Sequence, residues 1–236
     1  KFLKQKENFI KNHNYVINCT SNYNFVNKNY LLKNDFDTII AKFIENTNVP
    51  LIILSTRKVY KSRENINENG KLLPKCNYSK NKLIAEKNCE KILNNNLLIL
   101  RVGNLIGEPL KNKKKLHNTF VDIFFNFVKK GIIYENKKSF KDFLPVKKFC
   151  EIIFKLMKIQ ARGIFNVSLG KKVYLNDMVK WLNFYNKKKI AKFSSNNSFK
   201  KDNFTLNNKK LKNEIKIKIN LSELKKECIK LSKKMF

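Results

Sequence analysis

The chain has 236 residues, 42% of them hydrophobic and 12% aromatic, which suffices for one good core or two small ones and argues against a disordered protein. Lysine and arginine total 51 against 18 acidic residues, a net charge of +33. Only four of those bases are arginine (Arg57, Arg63, Arg101, Arg162), and the lysines run evenly through a chain with 36 asparagines, so the charge reads as a codon-driven composition and not as a phosphate-binding surface. Nucleic acid is therefore not among the expected partners, although a polyanion-binding module is kept as a competing reading. No apolar run approaches the roughly 18 to 20 residues of a membrane span, and the opening has no signal-like core, so a soluble, cytoplasmic protein is expected. The five cysteines (Cys19, Cys76, Cys89, Cys150, Cys228) form no C-x-x-C pair and have only His13 and His117 beside them, which argues against a disulfide framework and a zinc site.

Tyr15 to Cys19 and Pro50 to Ser55 (PLIILS) are short apolar runs of the kind that become buried parallel strands. Between them Asp35 to Asn46 places Phe36, Ile39, Ile40, Phe43 and Ile44 at helical spacing with acids in the first turn, which predicts an amphipathic helix. A loop from Ser62 to Lys75, a helix from Tyr78 to about Leu93 and a strand Leu97 to Val102 follow, and this alternation predicts a right-handed parallel α/β sheet. After the basic loop Lys111 to Lys115 the pattern becomes α+β. It runs through a helix from His117 to Lys129 whose stripe Phe120, Ile123, Phe124 and Phe127 reads as core, then Ile132 to Tyr134, a helix ending near Met157 and a strand Gly163 to Ser168. A helix to about Tyr185, with Trp181, Val179 and Leu182 expected in a core, an exposed tract from Ser194 to Asn203, and helices at Leu206 to Lys212 and Leu221 to Lys234 complete the chain.

Tyr78 and Lys82 (YSKNK) stand one helical turn apart, which puts both side chains on one face. A lysine ammonium so placed favours a phenolate and draws a tyrosine pKa of about 10 toward neutrality, suiting it to general acid and base work. In a lysine-rich helix this spacing arises easily by chance, so its neighbours matter. Ser55 and Thr56 end one strand and Asn104 follows another, and in a parallel sheet such residues face the crevice beyond the strands' carboxyl ends. A simple strand-ending cap is the other reading of Thr56.

Taken in order, VINCTS (Val16 to Ser21), STRKVY, YSKNK, LRVGNLIG, KDFLPV and GIFNVSLG resemble the motifs of the extended short-chain dehydrogenase/reductase family, particularly its nucleotide-sugar epimerases, dehydratases and reductases. The resemblance implies a Rossmann-like parallel sheet flanked by helices with a smaller α+β substrate domain. The expected division is 1–104 with about 139–168 for the first and about 105–138 with 169–236 for the second. It implies NAD or NADP as cofactor and a nucleotide sugar as substrate, and it allows for a homodimer. Carried over to matching positions, it makes Thr56, Tyr78 and Lys82 catalytic, puts Cys19, Thr20, Ser55, Tyr78, Lys82 and Val102 along the cofactor, and places Asn104 and Lys141 at the substrate. Lys141 stands where the family has an arginine, and a lysine supplies charge without the bidentate fork. Arg57 and Lys58 stand where a dehydratase has an acidic pair, which favours a reductase or epimerase. The family's opening G-x-x-G-x-x-G turn has no counterpart: the six glycines begin at Gly70, so the expected fold is N-terminally incomplete and the chain is read as a fragment.

Overall fold

The computed structural model describes residues 9–108, 119–135, 138–188, 191–194 and 202–236. In chain order the elements run β1 (Val16–Asn18), α1 (Tyr23–Asn27), α2 (Phe36–Ile44), β2 (Leu51–Thr56), α3 (Asn77–Leu93), β3 (Leu97–Val102), β4 (Asn104–Ile106), α4 (Phe120–Lys129) and β5 (Ile132–Glu135). They continue with β6 (Phe140–Lys141), β7 (Phe143–Pro145), α5 (Val146–Lys158), β8 (Gly163–Val167), β9 (Val173–Tyr174), α6 (Leu175–Leu182), β10 (Ala191–Ser194), α7 (Lys209–Ile215) and α8 (Leu221–Met235). Two compact units divide the chain, Lys1–Lys61 with Glu68–Val102 and Ile153–Val167, and Ser62–Asn67 with Gly103–Ile152 and Ser168–Phe236. Among the described residues no helix is long and apolar enough to cross a membrane.

The first unit is built on a four-stranded sheet in the order β1-β2-β3-β8, and every neighbouring pair is parallel. Leu51, Ile53, Leu97 and Ile99 alternate onto one face, where Ala41 and Ile44 of α2 and Cys89 and Leu93 of α3 bury them. Ile52, Leu98 and Leu100 on the other face are equally buried, which is why these strands read as unbroken apolar runs. Asp35 caps α2 by accepting the Thr38 N–H at 3.2 Å, and its carboxylate also accepts the Thr38 and Tyr30 hydroxyls, so the acids that marked the first turn in sequence do define the helix start. The strand bounds agree with the sequence to within a residue or two. α1 is an addition: five residues capped by the Asn22 side chain, too short for a periodicity to reveal.

Among its described residues the second unit holds three two-stranded pairings, β4 with β7 and β5 with β10 parallel, β6 with β9 antiparallel. Its organising group is Asp142, fully buried between β6 and β7. The carboxylate accepts the backbone N–H of Gly170 at 3.1 Å and of Leu206 at 3.0 Å, and its own carbonyl accepts the Asn104 N–H at 3.1 Å. One side chain thus ties the KDFLPV and GIFNVSLG segments to a residue 64 positions away. Gly170 has φ +74, and a Cβ there would lie 2.8 Å from the amide of Asn208, which donates to the Ser168 and Leu169 carbonyls.

Several sequence expectations are corrected here. The expected apolar stripe of α4 faces inward only in part: Phe124 is buried and Phe120 half-buried, but Ile123 and Phe127 are exposed, and Val121, Phe125 and Val128 complete the buried face instead. A helix apolar nearly all round carries two candidate stripes, and packing chooses between them. In α6 Met178 and Leu182 are fully buried, whereas Trp181 and Val179 are half-buried. The segment expected as a helix from Leu206 instead pairs Leu206 with Ile66, and α7 begins at Lys209, because the Leu206 N–H is committed to Asp142. Most of the tract from Ser194 to Asn203 lies outside the described residues.

Burial lifts the Asp142 carboxyl from 3.8 to about 7, against the pull of the backbone N–H groups it accepts. The folded chain therefore holds a proton that the unfolded chain releases between those values, so Asp142's contribution to stability is greatest below 3.8 and falls as pH rises toward about 7. Urea unfolding across that window should show the stability of the chain declining relative to Asp142→Asn, and a constant difference between the two would contradict the assignment.

Candidate active site

Tyr78, Lys82 and Glu86 recur every fourth residue along α3 and so form one stripe. Glu86 is the innermost and is fully buried. Its carboxylate accepts the Arg101 Nη2–H at 2.6 Å and the Nε–H at 3.2 Å, in the side-on geometry that makes arginine–carboxylate pairs strong, and it also accepts the Ser55 hydroxyl. The other arm of Arg101 donates to the Tyr60 hydroxyl at 2.9 Å and the Glu68 carbonyl at 3.1 Å. The Tyr60 hydroxyl donates in turn to Asn166 Oδ1 at 2.9 Å, and the Asn166 N–H donates to Glu68 Oε1. Burial pushes the Tyr60 phenol up, in spite of Arg101 beside it.

This network clamps α3 to the last residues of β2, β3 and β8. A crossover helix returns antiparallel to its strands, so the turns of α3 before Glu86 extend toward and past the strands' carboxyl ends. Lys82 and Tyr78 are carried there. Thr56, the last residue of β2, is buried, and its Oγ accepts the Lys58 N–H at 3.2 Å, closing the 3₁₀ turn Arg57–Val59. The cap reading of Thr56 is correct in geometry, yet the hydroxyl keeps its own hydrogen for a further acceptor.

Lys82 Nζ donates to Asp37 Oδ2 at 2.8 Å, and both side chains are almost wholly removed from solvent. Asp37 Oδ1 in turn accepts from Asn18 Nδ2 at 2.6 Å, and Asn18 Oδ1 accepts the N–H and the hydroxyl of Thr20. Burial opposes the charge on Lys82, but the Asp37 carboxylate prevails and holds its pKa above the ordinary lysine value. Tyr78 departs from the sequence expectation. Burial raises its phenol above 10, and the Lys82 charge that should lower it is countered by Asp37 and Cys76. At the head of the helix Cys76 forms a capping box with Ser79. Burial opposes its ionisation, yet hydrogen bonds from Ser79 and the charge of Lys58 hold the thiol below its usual value.

The first unit thus brings Thr20, Ser55, Thr56, Tyr78, Lys82 and Val102 to one edge, with distinct commitments. Ser55 spends its hydroxyl on Glu86, Thr20 spends its on Asn18, Val102 ends β3 as a buried apolar residue, and Cys19 is exposed. Ser21 Oγ is buried at the same strand end with no hydrogen-bond partner among the described residues. In the second unit Asn104 opens β4 with a buried Nδ2 that has no such partner, and Lys141 Nζ stands 3.6 Å from the Asp202 carboxylate and 3.4 Å from its carbonyl oxygen. Four residues of this network escaped the sequence reading: Asn18, Asp37, Glu86 and Arg101. Glu86 and Arg101 had a signal, since an arginine inside LLILRV must find a partner when the strand is buried and Glu86 continues the Tyr78–Lys82 stripe. Asp37 had none, because an acid in a first helical turn already has a local reason to be there.

No family model matches the chain, and no curated protein matches it in sequence. Solved structures do match in fold. The UDP-N-acetylglucosamine 4-epimerase of Methanobrevibacter ruminantium, solved with UDP-N-acetylmuramic acid, superposes with a TM-score of 0.75 over 96% of this chain and 78% of its own, at 18% identity. The WbmG enzyme of Bordetella bronchiseptica, solved with NAD, gives 0.76 over 99% and 74% at 17% identity. The UDP-N-acetylglucosamine 4-epimerase of Bacillus cereus gives 0.76 over 99% and 82% at 16% identity. The chain has the Rossmann-like α/β fold of nucleotide-sugar epimerases and dehydratases.

The clamp yields a stability prediction. Arg101→Met leaves Glu86 buried and unpaired and should cost about 3–5 kcal/mol in urea unfolding, whereas the double variant Glu86→Met/Arg101→Met should recover most of that loss. A single-variant cost below about 1 kcal/mol would show that the pair does not hold the helix.

Proposed function

We propose that the chain belongs to the extended short-chain dehydrogenase/reductase family and acts as an NAD(P)-dependent oxidoreductase or epimerase on a nucleoside-diphosphate sugar. The observation that carries this reading is the Tyr78–Lys82 turn, on a helix that the Glu86 clamp fixes to the strand ending in Thr56, in a fold shared with a UDP-N-acetylglucosamine 4-epimerase solved with UDP-N-acetylmuramic acid and with an enzyme solved with NAD. A nicotinamide ribose suits the donors present. Lys82 has three N–H donors and spends one on Asp37, and Tyr78 and Thr56 add hydroxyls at the same strand edge. Lys82 and Tyr78 would hold the ribose, with Thr20 and Val102 along the dinucleotide. When bound, that cofactor supplies hydride chemistry.

The protein's own part is proton transfer and positioning. Tyr78 Oη gives a proton to the reacting sugar oxygen, or takes one from it, and Thr56 donates a hydrogen bond that orients that oxygen. Lys82 favours the phenolate, against burial and the Asp37 carboxylate. Ser55 serves this site indirectly, by fixing α3 through Glu86. The first unit is the cofactor-binding one and the second carries the nucleotide-sugar contacts, Asn104 near the diphosphate with its unspent amide and Lys141 as a charge at the nucleotide. Arg57 and Lys58 after Thr56 favour reduction or epimerisation over dehydration.

The test is turnover of UDP- and dTDP-hexoses by the purified chain with NAD or NADP, followed by reduced-nicotinamide absorbance and by sugar-product analysis. Tyr78→Phe should lower kcat by about 100- to 10,000-fold while leaving dinucleotide binding in place. Turnover that survives the substitution unchanged, or a chain that binds no dinucleotide, overturns the reading and favours a relative kept as a scaffold.

A further inference from the structure

The proposed chemistry uses Lys82 as a donor to the ribose and as a charge near Tyr78. What the fold adds is a second, opposite charge that nothing in that chemistry requires. Asp37 stands 45 residues before Lys82 in the chain and on a different helix, yet the two meet at 2.8 Å in a place nearly closed to solvent. Burying a carboxylate there is costly unless it is paired and hydrogen-bonded, and it is both: Lys82 donates to Oδ2 and Asn18 to Oδ1. Asn18 cannot turn away from this duty, because its own Oδ1 is held by the N–H and hydroxyl of Thr20. The carboxylate is therefore fixed in position at both oxygens. The Phe25 ring lies 5.5 Å from Lys82 Nζ, which further confines the ammonium.

We infer that Asp37 is a positioning residue that acts through Lys82: its carboxylate is the built-in counterion of the lysine, so that the ammonium's charge is largely spent within the pair and Tyr78 is kept in its proton-holding form. The inference rests on the reading of Tyr78 as the acid/base. Its consequence is a site poised to give a proton to a substrate oxygen more readily than to take one near neutral pH.

The groups that face this pair are few. From α2 come Asp37 and Asp35, the latter already engaged with Thr38 and Tyr30. From the head of α3 comes Cys76, with Lys58 behind it, and further along the same helix Cys89 faces the two carboxylates, which together with burial push its thiol up. Of these, only Asp37 touches Lys82.

The direct test is titration of the Tyr78 phenol by tyrosinate absorbance, taken as the difference between each protein and its Tyr78→Phe counterpart, with neither cofactor nor sugar present. Asp37→Asn removes the counterion and keeps an oxygen for Asn18, and the Tyr78 titration should move down by about one pH unit or more. An unmoved titration overturns the inference. Because Asp37→Asn strands a buried ammonium and can unfold the chain, the neutral pair Asp37→Asn/Lys82→Met provides a second arm. If the two charges cancel at Tyr78, this double variant titrates within about half a unit of the unmodified chain. A rise of about a unit or more would mean that Lys82 acts on Tyr78 uncancelled, which also overturns the inference. These titrations need no turnover, so a chain without nucleotide-sugar activity defeats the proposed function while leaving the Asp37 result to stand or fall on its own. In a chain that does turn over, Asp37→Asn should shift the pH profile of kcat toward acid by the same interval as the titration.

Discussion

The ion pair between Glu86 and Arg101 is the constraint on which the rest of the first unit depends. A helix packed on a sheet by apolar contacts alone can rotate or slide with little change in buried area, because the hydrophobic effect has no direction. Glu86 removes that freedom. Its carboxylate is joined to β2 through Ser55 and to β3 through Arg101, and Arg101 carries the connection on through Tyr60 and Asn166 to β8. A charge buried so deeply tolerates only the geometry that satisfies it. The stripe that contains Glu86 also contains Lys82 and Tyr78, so the demand made by one residue fixes where the other two stand.

A second buried carboxylate then decides the electrostatic character of that place. Tyrosine and lysine at a four-residue spacing suggest a phenol made acidic by its neighbour, but the spacing describes only two of the charges present. Asp37 arrives from α2 and binds the lysine, Asn18 holds Asp37 from the end of β1, and burial, with Asp37 offsetting the Lys82 charge, leaves the phenol above its ordinary value. The position of β1 in the sheet thereby reaches the proton at Tyr78 through three side chains. The second unit follows the same rule. Asp142 is buried at the junction of β6 and β7, and the backbone N–H groups of Gly170 and Leu206 converge on it. There the carboxylate organises loops where Glu86 organises a helix, and burial pushes its pKa up because its partners are amides and not a cation.

The central strands were legible because they are buried on both faces and so read as unbroken apolar runs, and α2 because it announces itself by period and by the acids of its first turn. The likeness of six short segments to one family also anticipated a fold that solved enzymes share, two UDP-N-acetylglucosamine 4-epimerases among them, at identities of 16% to 18%. Legibility failed where a choice had to be made among equivalent local patterns. α4 offers two apolar stripes, and only packing selects Val121, Phe124, Phe125 and Val128. Leu206 looks like the start of a helix, and only its bond to Asp142 keeps it extended.

By itself, then, the sequence determined the order of strands and helices and the one-turn spacing of Tyr78 and Lys82, since both are set by periodicities within a few residues of chain. Tertiary structure alone decided that Ser55 would serve Glu86, that Arg101 would span β3 and Tyr60, and that Lys82 would meet a carboxylate 45 residues away. Such partnerships leave no local signature: a buried charge requires a partner, and which one it finds depends on how distant segments are brought together.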